Sequence, residues 1–151
     1  MCLYSVTKRF NCSNQSMIGY KVLIKNEKGE LNFPHFEDTN HPLEVDVTYQ
    51  ANELTPNIFD SKVYMLSTSD GNNYYPNGFH CFETFEAAQY YAKLINDPVV
   101  IVRVILYEVH TAGLQSANIK YLPTLVSNRM RIDKDWDIEN QCEMVYKVQS
   151  L

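Results

Sequence analysis

Apolar and polar positions alternate over short stretches along most of the chain, the pattern of half-buried strands rather than helices. Tyr20-Lys21-Val22-Leu23-Ile24-Lys25 reads as one such strand. Asn26-Glu27-Lys28-Gly29 closes it with a turn in which Gly29 supplies positive φ, and Leu31-Asn32-Phe33 returns as its partner until Pro34 ends the pairing. Glu44-Val45-Asp46-Val47-Thr48-Tyr49 alternates cleanly, which predicts a strand with Val45, Val47 and Tyr49 on one face. Lys62-Val63-Tyr64-Met65-Leu66 is a short apolar run. Two turn signals follow, Asp70-Gly71-Asn72-Asn73 and Pro76-Asn77-Gly78.

The stretch from Gly78 to His110 departs from this rhythm. Gly78-Phe79-His80-Cys81-Phe82 reads as a short strand entering a helix at about residues 84–96. Thr84 is placed to cap it, and Glu86 lies in the first turn, where the helix dipole favours an acid. Phe85, Ala88, Tyr91, Ala92 and Ile95 form one apolar stripe, and Asn96-Asp97-Pro98 stops the helix. The run from Val99 to Val109 is β-branched and almost continuously apolar, which predicts a central strand covered on both faces. Beyond Gly113 the pattern breaks into short strands at Ile119-Lys120-Tyr121-Leu122, Arg129-Met130-Arg131-Ile132 and Met144-Val145-Tyr146-Lys147-Val148. Asp133 to Asn140 reads as a loop or one helical turn around the single Trp136.

These elements predict a single α+β domain over residues 1–151: a mixed or mainly antiparallel sheet of about six to eight strands packed by one principal helix. Residues 1–17 read as an arm or edge segment. No internal repeat or low-complexity linker marks a second domain.

Composition changes this picture little. The 151 residues are 45% hydrophobic and 21% charged, an ordinary globular balance. The net charge of −5 argues against nucleic acid as a partner, because affinity for phosphate depends on clustered Lys and Arg. Only Lys120, Arg129 and Arg131 suggest a basic face. No stretch approaches the length of a membrane span, and the start lacks the apolar core of a signal peptide, so a cytoplasmic protein with reduced thiols is expected.

The candidate chemistry is sparse. His80 and Cys81 are adjacent in a strand, point to opposite faces and do not form a Cys–His pair. If Phe79, Cys81 and Tyr91 define the helix side, His80 turns outward with Phe82. His80 then serves either as a pocket residue beside the Asp70–Gly78 loop or as a structural histidine that fixes that loop. Cys2, exposed as an N-terminus by loss of Met1, would present a thiol with its own amine as base; an ordinary small apolar residue at a strand start is the plainer reading. His35 and His41 lack zinc-ligand spacing, Asp133 to Asp137 lacks the glycine and distant Glu of a calcium loop, and the isolated glycines form no phosphate cradle. Neither a metal nor a cofactor is expected. Tyr74, Tyr75, Phe79 and Phe82 surround the long turn and, with His80, are the candidate binding residues, read equally as anchors or as core.

Met1-Cys2-Leu3, the early Tyr20-Lys21-Val22 strand and the central Gly78-Phe79-His80-Cys81-Phe82 segment resemble small uncharacterised proteins of bacteriophages and prophages. Those share an MCL start and a GFH-x-F segment before a helix. The resemblance implies a viral accessory protein in the host cytoplasm, a non-catalytic module that binds and inhibits a host defence protein or sequesters a small ligand. The alternative is a small hydrolase- or transferase-like enzyme using Cys2 or His80 on a nucleotide or peptide. Free sheet edges leave a homo-oligomer open.

Overall fold

The computed structural model describes residues 2–11, 16–34, 42–51 and 65–138. Among the described residues the strands are β1 (Ser5–Arg9), β2 (Met17–Lys25), β3 (Leu31–Asn32), β4 (Thr48–Gln50), β5 (Met65–Ser67), β6 (Tyr74–Pro76), β7 (Phe79–Phe82), β8 (Val99–Ala117) and β9 (Lys120–Ile132), and the helix α1 (Phe85–Lys93) lies between β7 and β8. Seven strands make one sheet in the order β1-β8-β2-β7-β9-β4 with β3 beside β2, while β5 and β6 form a separate hairpin. Every pairing is antiparallel. This is the expected α+β class.

The main sheet also closes on itself. β2 pairs with β8 and β7, β7 pairs with β9, and β9 returns to β8. The weak link of this circuit is the β2–β7 seam, where Tyr20 opposite Phe82 is the one registered pair.

The long β8–β9 hairpin departs most from the sequence pattern. β8 continues through Gly113 to Ala117, and β9 is one strand of 13 residues where two short ones were expected. Gly113 does not end β8; it admits the arm. A Cβ there would collide with the Ser5 carbonyl and meet Leu3 Cδ1 at 2.8 Å. Its register partner is Val6 of β1. The hairpin turns at Asn118 with φ 58°, a left-handed conformation that Asn tolerates. β1 and β2 both run antiparallel to β8, against Thr111–Leu114 and Val99–Leu106 respectively. Between those stretches β8 carries a register shift at Val109–Thr111 and a positive φ of 54° at Glu108.

The strand expected at Glu44–Tyr49 shrinks to Thr48–Gln50. Asp46 adopts φ 65°, its N–H donates to the Ile132 carbonyl, and its carboxylate pairs with Arg131 at 2.6 Å. The turn leaves Val45 and Val47 exposed. Residues 62–64 of the apolar run and the expected closing strand at 144–148 lie outside the described residues.

Both faces of the closed sheet are covered. Val99, Val100, Ile101, Val102, Val104 and Leu106 are at most 1% exposed. Each stabilises the fold by about 1.5–3 kcal/mol on burial. Away from the helix, Leu23, Phe79, Cys81, Val100, Val102, Val104, Leu106, Leu125, Met130 and Ile132 form the larger cluster. On the helix side, Ala87, Ala88, Tyr91 and Ala92 pack onto Val22, Phe82, Val99, Ile101 and Leu122. Thr84 caps α1, its hydroxyl accepting from Ala87 N–H at 3.1 Å. Beyond the helix, the arm and the β5–β6 hairpin extend this cover with Leu3, Tyr75 and Val126.

Candidate functional site

β7 brings the sequence-predicted residues together, although not in the expected orientation. All four of its residues are buried. Phe82 faces the helix and packs on Tyr91 with centroids 5.1 Å apart. Phe79 and Cys81 belong to the opposite cluster. The expected assignment of Phe79 and Cys81 to the helix side is therefore reversed. His80 shares the side of Phe82 but does not face solvent, because the hairpin and the arm lie over it; only 7% of it is exposed.

His80 is the centre of a clasp between three segments. The Leu3 N–H donates to Tyr75 Oη at 2.7 Å, and the Tyr75 hydroxyl donates to His80 Nε2 at 2.8 Å. His80 Nδ1 lies 3.1 Å from the Gly78 carbonyl, which only accepts, so the ring proton is on Nδ1. Burial above all, then the nearby Lys21 ammonium, presses the His80 pKa down to about 3, so the imidazole is neutral. Burial likewise pushes the Tyr75 hydroxyl up to about 12, which keeps it a donor. Each polar atom of the clasp is satisfied, and both ring nitrogens are occupied. The geometry is that of a histidine held by hydrogen bonds on both ring nitrogens.

Of the candidate binding residues, Tyr75, Phe79, His80 and Phe82 are therefore interior, and Tyr74 alone is exposed, at 65%. The register of the hairpin explains the difference between the two tyrosines. Tyr75 opposes Leu66 on the inward face, while Tyr74 opposes Ser67, and Met65 opposes Pro76, on the outward face. Arg9 reaches the rim of that face, its Nη2 donating to the Tyr74 carbonyl at 2.6 Å. Met65 is 47% exposed beside it.

Sequence reasoning missed Lys21. It is 8% exposed and projects on the side of the strand shared with Gly19 and Leu23. Its Nζ donates to the His80 carbonyl at 2.6 Å and sits 5.1 Å above the Phe33 ring. Burial lowers the pKa of this amine, partly offset by the Cys81 thiol. That thiol is itself pushed up to about 11 by burial. His110, in the bulged stretch of β8, was also overlooked as a polar interior residue. Its Nδ1 contacts Thr111 Oγ1 at 2.8 Å, and Nε2 is buried without a hydrogen-bond partner among the described residues. Burial lowers its pKa.

Cys2 is exposed. Cys12, Cys142, His35 and His41 lie outside the described residues. Among the described residues no group of three or more His, Cys, Asp or Glu is placed to hold a metal ion, and no helix is long and apolar enough to cross a membrane. The three cations of the suggested basic face are each engaged. Lys120 lies over Tyr90, Arg129 is 3.8 Å from Glu108, and Arg131 is paired with Asp46. No family model, no curated protein and no solved structure matches the chain.

Proposed function

We propose that this chain is a small accessory protein of the phage-like kind, a non-catalytic module that binds and inhibits a host protein through the outward face of the β5–β6 hairpin. The observation that carries this reading is the exposure of Tyr74 and Met65 on one face of a hairpin whose other face is fixed in the core. A tyrosine, a methionine and a rim arginine are residue types enriched at the centre of protein interfaces. The clasp holds this face rigidly, which lowers the ordering cost of binding. An enzymatic reading through His80 has less support, because a general base needs a free nitrogen and both of its nitrogens are engaged.

The test is a pull-down from a bacterial host with the wild-type chain and with Tyr74→Ala/Met65→Ala, whose fold is checked by circular dichroism. The expected result is one host protein enriched by the wild type and reduced at least tenfold by the variant. A partner retained equally by both, or none retained above bare resin, would overturn the proposal.

A further inference from the structure

The cover on the helix side of the sheet runs out along β8. Val99, Ile101, Arg103, Ile105 and Tyr107 share that face; the first two are buried and the other three only half-buried. Trp136, packed against Tyr20, Phe85 and Arg103, marks the border. Beyond it the face spans four strands. Ile18 of β2, Ile105 of β8, Arg131 of β9 and Thr48 of β4 lie in one cross-strand row, and Tyr107, Arg129 and Gln50 lie in the next. Ile18 is 53% exposed beside Ile105. A sheet face turned to water carries polar residues, and two isoleucines side by side depart from that pattern.

The charges around this apolar centre cancel. Arg103 is paired with Asp133, Arg131 with Asp46, and Arg129 lies 3.8 Å from Glu108. The net charge of −5 therefore lies elsewhere on the chain, and two copies repel least across this face. A two-fold interface brings a surface against itself, so that surface must be self-complementary. Three cations interspersed with three anions about an isoleucine pair meet this condition, whereas a strongly acidic or basic partner finds no net charge to match. Arg129 and Glu108 are the loosest of the three pairs, with side chains 46% and 42% exposed. We infer that this half of the sheet is a homodimer interface. The Ile18–Ile105 centre of one copy packs on that of the other, and Arg129 and Glu108 take counter-charges across the two-fold axis. The inference is independent of the hairpin proposal and stands or falls separately.

Sedimentation equilibrium at loading concentrations of about 5–500 μM should show the average mass rising from one chain toward two. Arg129→Glu makes the face acidic and Glu108→Arg makes it basic, so each variant alone should dimerise at least tenfold more weakly than the wild type. An equimolar mixture of the two brings opposite faces together and should restore association to within about threefold of the wild type. Circular dichroism checks the fold of each variant. Tyr74→Ala/Met65→Ala should dimerise as the wild type does, which separates this surface from the hairpin. A single-chain mass over the whole range, a dimer retained by both charge variants, a mixture no tighter than its components, or loss of the dimer on changing the hairpin would overturn the inference.

Discussion

Replacing Tyr75 by Phe removes one oxygen and leaves the ring in place, so it isolates the clasp from the packing around it. The hydroxyl accepts from Leu3 N–H and donates to His80 Nε2, and Tyr75 and Leu3 are fully buried. Without it both partners become buried polar groups with no water to replace the lost bond. Each such group costs about 1–3 kcal/mol, so the pair should cost about 2–6 kcal/mol. Tyr49→Phe is the matched control. Its hydroxyl also accepts a backbone N–H, from Glu44 at 2.7 Å, but at an exposed site where water substitutes. That change should cost less than about 0.5 kcal/mol. Urea titration of the three proteins at neutral pH measures the difference, with an unchanged slope showing that the two end states are comparable. The loss at Tyr75 corresponds to a fall in Tm of roughly 5–15 °C at this chain length. A Tyr75→Phe protein within about 0.5 kcal/mol of the control would refute the clasp as a stabilising unit.

Three further outcomes test other parts of the fold. The His80 pKa falls from an unfolded value of about 6.5 to about 3, so the unfolded chain binds a proton that the folded chain refuses. Stability should therefore decline as pH drops below about 6.5, by about 2 kcal/mol at pH 5 from this group, and His80→Gln should lose that part of the slope in urea titrations at pH 7 and 5. Gly113→Ala sets a methyl group against the Ser5 backbone and Leu3. It should cost about 1–3 kcal/mol and raise amide exchange across residues 4–9 before the rest of the sheet; unchanged protection of the arm would count against it. Glu108→Gly relieves a φ of 54° at the cost of two weak contacts, the ion pair with Arg129 at 3.8 Å and the hydrogen bond donated by Asn128 Nδ2 at 3.4 Å. A gain of about 0.5–1 kcal/mol in thermal melts is expected, and a loss would show that Glu108 contributes more than its strain costs.

How far the sequence discloses this fold depends on whether local periodicity or tertiary contact decides each element. The helix is legible because its stripe, its cap at Thr84 and its stop at Asn96-Asp97-Pro98 are all local. The central strand is legible because a continuous β-branched apolar run disfavours a helix and suits a strand buried on both faces. The continuation of β8 through Gly113 was hidden, since the glycine signals a turn locally and its purpose appears only when Ser5 lies across it. The turn at Val45–Asp46 was hidden for a similar reason, because Arg131, far along the chain, holds it. Within the candidate site, the grouping around Gly78–Phe82 was readable, but the burial of His80 was not. It depends on Leu3 and Tyr75 arriving from two other segments. Lys21 is the clearest failure of alternation. Lysine in a strand suggests a solvent face, yet a sheet covered on both sides has none to offer at that position.

That two-sided cover also determines where function has room to act. β7 is short and pairs fully with β9 on one side, while β2 meets it at one residue on the other. Side chains complete what the ladder leaves open: Lys21 at the His80 carbonyl, and Tyr75 at the His80 ring. The polar residues most suggestive of catalysis are thus committed to closing the sheet, and changing them puts the fold at risk. The β5–β6 hairpin separates the two demands by its period of two. Leu66 and Tyr75 point inward and hold the hairpin on the core, so Met65 and Tyr74, one residue away in each strand, are released from any packing duty. Substitutions on the outward face should leave the fold intact while testing the proposed interface. That separation is why the proposed interface is placed on the hairpin and not on the buried histidine.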